Sequence, residues 1–137
     1  MSNILAGIGR GQMEVLDKHI NNRRNNFNFY KQNLNQYSEI EFLEEPNGFY
    51  SNRWLTCIKT DSYERREQIR LALANENIES RPLWKPMHCQ PVFSGCDSYV
   101  NGVSEEMFDR GLCLPSGSNL EEEDLFRIVS VIKNTVR

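Results

Sequence analysis

The apolar spacing of the first 34 residues constrains this chain most. Ile4, Leu5, Ile8, Val15, Leu16, Ile20, Phe27, Tyr30 and Leu34, with Gln12 among them, recur at three- and four-residue steps. That spacing gathers side chains on one face of a helix and predicts one long helix over residues 1–34. Ser2 or Asn3 is suited to cap its first turn. Gly7, Gly9 and Gly11 each weaken the opening turns by about 1 kcal/mol relative to Ala, so a close backbone or ligand is expected beside them. The run Asn21-Asn22-Arg23-Arg24-Asn25-Asn26 has low helix propensity, and a bend is expected near it. Such a helix exceeds what a 137-residue domain needs for its own core. Part of its apolar face is therefore expected to cover something outside the chain.

Shorter elements follow. Ile40 and Phe42 alternate with Glu39 and Glu41, and Trp54 to Thr60 is rich in aromatic and branched residues, so both read as strands. Pro46-Asn47-Gly48 marks a turn between them. Asp61 and Glu64 have the spacing of a capping box for a helix to about Asn75, with Ile69, Leu71, Ala72 and Leu73 on its buried side. Ile78 to Pro82 reads as a short extended segment, and the proline suits an edge. Residues 82–103 form an irregular loop rich in Pro and Gly, whose length favours a functional role. Ser104 to Arg110 predicts a short helix ended by Gly111, and Leu112-Cys113-Leu114 a buried strand. After the Pro115-Ser116-Gly117 turn, Leu125, Ile128, Val129, Ile132 and Val136 form the apolar stripe of a last helix, with acidic residues at its positive N-terminal end. The expected fold class is α+β, helices flanking a small, mostly antiparallel sheet, as a single domain over residues 1–137.

Composition removes several function classes. A net charge of -3 and a pI near 5.4 give no footprint for nucleic acid, and no apolar run approaches membrane-spanning length. Residues 1–10 read as a helix opening rather than a basic-then-apolar leader. Cys57, Cys89, Cys96 and Cys113 are unevenly spaced in a chain too large to need stapling, so reduced thiols in a cytoplasmic protein are expected.

Several constellations have a plain structural explanation. Gly7-Ile8-Gly9-Arg10-Gly11 looks like a phosphate loop but has no strand before it, so close helix packing is preferred. His88, Cys89 and Cys96 show neither an evident fourth zinc ligand nor the paired short spacings of structural sites. The neighbouring Cys89 and His88 are a poor catalytic pair, because adjacent side chains diverge. Glu121-Glu122-Glu123-Asp124 is explained by a solvated first helical turn. The richest segment is Ser80-Arg81-Pro82-Leu83-Trp84-Lys85-Pro86-Met87-His88. Arg81 and Lys85 suit phosphate oxygens, Trp84 offers a stacking face, and His88 can donate to a hydroxyl or pass a proton. That set suits a nucleotide-linked or other anionic substrate, while an ordinary surface loop with a tucked-in Trp accounts for it equally.

Three stretches in order resemble the DegT/DnrJ/StrS family of pyridoxal-phosphate (PLP)-dependent sugar aminotransferases. They are Met1 to Ala6 with Gln12 and Leu16, the Ser80–His88 loop, and Gly111 to Gly117 leading into Leu120, Asp124, Arg127 and Ile128. Their order and separation are similar to the small C-terminal domain of that family. The resemblance implies a fold type I aminotransferase with its active site at a homodimer interface. Such an enzyme moves an amino group, usually from glutamate, to a nucleotide-linked keto-sugar for polysaccharide, glycan or antibiotic sugars. By resemblance, Arg81, Trp84, Lys85 and His88 line the sugar-nucleotide side, and Ser2 and Asn3 border the cofactor.

The resemblance also implies that residues 1–34 lead in from a large domain carrying the Schiff-base lysine and the acidic partner of the pyridine nitrogen. The lysines present, Lys18, Lys31, Lys59, Lys85 and Lys133, match no such context. No bound PLP and no activity are expected of this chain alone. The alternative is a stand-alone, non-catalytic module of the same fold. Such a module should have its first-helix face covered or polar, whereas a lobe of a larger enzyme should expose it.

Overall fold

The computed structural model describes residues 2–136. Helices α1 (Asn3–Glu14) and α2 (Leu16–Leu34) replace the single expected helix. The break falls at Val15, whose backbone (φ -113°, ψ 4°) leaves the helical region, and not at the asparagine-rich run. Ser2 caps α1, its hydroxyl accepting from the Leu5 amide at 3.3 Å. Beyond α2 come β1 (Ile40–Phe42), β2 (Thr56–Thr60), α3 (Tyr63–Asn75), β3 (Arg81–Pro82), two short 3-10 turns over residues 87–93, α4 (Val103–Arg110), β4 (Gly111–Leu114) and α5 (Glu122–Val136).

The strands form one sheet in the order β1-β2-β4-β3, with every neighbouring pair antiparallel. Pro82 lies on the edge strand β3, where a missing N–H costs least. Alternation along the strands sends Ile58, Leu112 and Leu114 into a core shared with Phe27, Tyr30 and Leu34 of α2, Ile69 and Leu73 of α3, and the stripe of α5. Cys57, Lys59 and Cys113 take the opposite face of the sheet.

Two local expectations are corrected. The cap of α3 is Ser62, accepting from the Arg65 amide at 3.1 Å, rather than Asp61. Leu71 is half exposed, since Ile69 and Leu73 face the core and a residue midway between them is rotated outward. The buried side of α3 also carries Arg66, which is 3% exposed, donates to the Asp109 carbonyl at 3.0 Å and lies over the Tyr63 ring. Gly7, Gly9 and Gly11 have nothing packed against them, so the expected close neighbour is not among the described residues.

The asparagine run has a tertiary explanation. Asn22, Asn26 and Tyr30 stand four residues apart on α2, hence one above another on a single face. They donate to the Ser118, Gly117 and Pro115 carbonyls, each at 2.9 Å. This ladder satisfies the backbone of the turn that leaves β4, and so outweighs the weak helix propensity of asparagine.

Candidate functional site

A cleft of about 660 Å³ opens beside the sheet face that carries Cys113. The β3 segment (Glu79 to Trp84) lines one side, Cys113 to Ser116 its floor, and Trp54, Leu55 and Phe108 the remainder. Trp54 and Trp84 stack at its rim, ring centroids 6.0 Å apart at 30°. Both indoles are more than half exposed, an unusual state for the largest apolar side chain.

Trp54 is held by a network that starts on α2. Arg23 donates to the Trp54 carbonyl at 2.6 Å. Arg24 grips Glu45 with two hydrogen bonds, at 3.0 and 2.7 Å, and Glu45 accepts from the Ser51 amide at 2.7 Å. The paired guanidinium and that amide hold the Glu45 carboxyl down at about 2. Next to Trp54, Arg53 adopts a left-handed backbone (φ 49°), lies over the Phe27 ring at 3.6 Å and donates to the Leu43 carbonyl at 2.7 Å. Three arginines thus order the loop before β2 and present the indole to the cleft.

On the other wall, β3 pairs Arg81 with Cys113 and Pro82 with Leu112. Leu83 continues the pairing, donating its amide to the Gly111 carbonyl at 3.2 Å, which sets the direction in which the chain reaches Trp84. Gly111 is required here: a Cβ would run into Leu83 and the Met107 carbonyl. Ser80 has its hydroxyl buried in the cleft wall without a hydrogen-bond partner.

Of the residues singled out by sequence, Arg81 and Trp84 line this cleft, while Lys85 and His88 lie outside its lining. Arg81 is exposed and donates to Glu79 at 2.7 Å. Lys85 is exposed. His88 is committed to α4, its Nε2 lying 2.6 Å from Glu105 Oε1. Glu105 is held below the usual carboxylate range by its own backbone N–H and by His88. The pair anchors the irregular loop to a helix. Cys89 joins them, with donor atoms of His88, Cys89 and Glu105 all within 4.8 Å, whereas Cys96 stands apart from this group. Ser2 and Asn3 sit exposed at the start of α1.

Sequence reasoning missed Trp54, Phe108 and Cys113 as cleft residues. The pairing order of the sheet brings them together, and no local signal announces it. A smaller hollow at the α1–α2 junction, lined by Gln12, Leu16, His19, Ile20 and Arg23, also reaches Trp54. The amphipathic helices and the cleft therefore meet at one indole.

A helix-covered four-stranded antiparallel sheet, entered through an exposed amphipathic helix, is the architecture of the small lobe of fold type I aminotransferases. The aminotransferase TlmJ from Streptoalloteichus hindustanus superimposes on it with a TM-score of 0.87 at 20% identity, over 96% of this chain and 35% of that one. The chain belongs to the DegT/DnrJ/EryC1/StrS aminotransferase family, which it matches over residues 1–133.

Among relatives, EpsN of Bacillus subtilis (strain 168), provisionally assigned as a pyridoxal phosphate-dependent aminotransferase, is 44% identical over 96% of this chain. The GDP-perosamine synthase of Escherichia coli O157:H7 is 34% identical over 96% of it. The chain spans about 35% of the length of either relative.

The residues present do not complete a PLP site. Lys31 and Lys59 are engaged with Glu44 and Glu106, at 2.5 and 3.0 Å, and Lys133 donates to Asn33 at 3.1 Å. Lys18 and Lys85 are exposed, and no lysine lines the cleft. An amine that forms a Schiff base must be free to meet its carbonyl, and Lys31, Lys59 and Lys133 are each engaged by another side chain. Among the described residues no helix is long and apolar enough to cross a membrane.

Proposed function

We propose that this chain is the C-terminal lobe of a PLP-dependent aminotransferase that transfers an amino group from glutamate to a nucleotide-linked keto-sugar. In this reading the enzyme is a cytoplasmic homodimer serving polysaccharide or glycan synthesis. The Schiff-base lysine comes from polypeptide outside these 137 residues, and the lobe alone is inactive. The observation that carries the reading is the family match over residues 1–133 set against the 35% of each relative that the chain spans. When bound in the whole enzyme, PLP supplies the electron sink for transamination. The lobe supplies binding and orientation. Trp54 and Trp84 offer faces for a base or sugar ring, and Arg81 a cation for phosphate. Lys85 and His88 stand further along the same loop, and Ser2 and Asn3 border the cofactor side.

Helix α1 supports the lobe reading over a stand-alone module. It has no buried residue, and Ile4, Leu5 and Ile8 are 75, 58 and 57% exposed. A module adapted to life alone would have that face covered or polar. The test is a chimera in which this chain replaces the matching C-terminal third of the B. subtilis relative. The chimera should hold PLP and aminate a nucleotide keto-sugar from glutamate, and Trp84→Ala should raise KM for the sugar nucleotide roughly tenfold or more. A folded chimera that binds PLP but transfers no amino group refutes the proposal. So does turnover by the isolated 137-residue chain.

A further inference from the structure

Cys57 and Cys113 sit directly opposite each other in the antiparallel β2–β4 ladder, on the face of the sheet turned away from the core. Their sulfurs are 3.7 Å apart. Directly opposed antiparallel residues have Cα atoms about 4.5–5.5 Å apart, inside the range of about 4.4–6.8 Å that a disulfide spans. Shortening the contact to an S–S bond of about 2.05 Å asks each sulfur to move by only about 0.8 Å, within reach of side-chain rotation. From these positions we infer that Cys57 and Cys113 form a dithiol modification site, which a low-molecular-weight disulfide such as oxidised glutathione closes into a reversible cross-strand disulfide.

The two cysteines have different roles. Cys57 is half-buried and lines a hollow of about 280 Å³ with Glu41, Lys59 and Met107, so an oxidant reaches it first. Cys113 is 8% exposed and lies in the floor of the Arg81–Trp84 cleft. Hydrogen bonding from Cys113 favours the Cys57 thiolate, outweighing its burial. The same interaction, with burial, pushes the Cys113 thiol up. Cys57 is therefore the attacking sulfur.

The exchange balances as follows. The Cys57 thiolate attacks one sulfur of the glutathione disulfide, forming a mixed disulfide and releasing one glutathione thiolate. Capping Cys57 removes the charge that held the Cys113 proton. Cys113 gives that proton to solvent and attacks the Cys57 sulfur, releasing the second glutathione. Two electrons pass from the cysteine pair to the oxidant, which leaves as two thiols. The new bond ties the two central strands together beneath the cleft. It also draws the Cys113 sulfur towards Cys57.

The 137-residue chain is equilibrated in glutathione redox buffers, trapped with iodoacetamide and mapped by mass spectrometry without reduction. The expected product is a Cys57–Cys113 cross-link, lighter than the reduced peptides by about 2 Da and reversed by dithiothreitol. Cys89 and Cys96 should appear only alkylated or singly glutathionylated. Cys113→Ser, which lacks the resolving thiol, should accumulate a glutathione adduct of about 305 Da on Cys57. The inference is overturned if Cys57 and Cys113 stay alkylatable while Cys89 and Cys96 carry glutathione. It is equally overturned if Cys113 pairs with Cys89 or Cys96 instead.

Discussion

Replacing Tyr30 with Phe isolates the top rung of the ladder that holds the turn after β4. The ring is fully buried, and its hydroxyl donates to the Pro115 carbonyl at 2.9 Å. Phenylalanine keeps the ring and creates almost no cavity, so the change reads the hydrogen bond alone. An acceptor left unsatisfied in the interior costs about 1–3 kcal/mol, and about 2 kcal/mol is the working value. With an unfolding entropy of roughly 2.1 cal/mol/K per residue, a chain of this length should lose about 7 °C of Tm. Circular dichroism at 222 nm measures the melt, and urea titration should show a lower midpoint with an unchanged slope.

The difference should also depend on pH. Burial, then the nearby Asp124 charge, raises the Tyr30 hydroxyl above its ordinary 10.0. Above that pH the unfolded chain ionises this tyrosine while the folded chain does not. The stability tied to the neutral hydroxyl is thus complete below about 10 and drains away as pH rises. The gap between wild type and Tyr30→Phe should therefore narrow in alkali. A Tm change under about 1 °C, or a gap that does not narrow, would refute the reasoning.

Two further outcomes follow from contacts around the cleft. Glu45, held at about 2 by Arg24 and the Ser51 amide, lends stability that is complete above its ordinary 4.5 and disappears as pH falls towards 2. Glu45→Gln should accordingly flatten the loss of Tm between pH 5 and pH 2 in acid melts, and parallel curves would count against the ion pair's role. Gly111→Ala should cost about 2 kcal/mol or more, because the added methyl meets a backbone carbonyl that cannot step aside as well as Leu83. Urea denaturation within about 0.5 kcal/mol of wild type would show that the β4 entrance is looser than described.

The particular elements show which information is local. Every strand and the three C-terminal helices are readable from alternation, capping and apolar stripes, because a period of two or of 3.6 is written into neighbouring residues. The α5 stripe is buried residue for residue as its spacing requires. The Val15 break was not legible, since nothing in that residue type interrupts a helix. The asparagine run misled for the converse reason: low intrinsic propensity was overruled by carbonyls some 90 positions away.

The site divides in the same way. Arg81 and Trp84 were visible because a short proline-bounded loop concentrates charge and an aromatic ring. Their partners Trp54 and Cys113 were not, because the β2-β4-β3 order juxtaposes segments tens of residues apart. His88 read as a substrate candidate, and only the fold shows its ring bound to Glu105. By itself, then, the sequence determined the strands, the three C-terminal helices, the exposed apolar face of α1 and the family to which the chain belongs, but not the break between α1 and α2. The tertiary structure alone decided which side chains share a cleft and which two thiols touch, because strand register and hydrogen bonds between distant segments are set by packing.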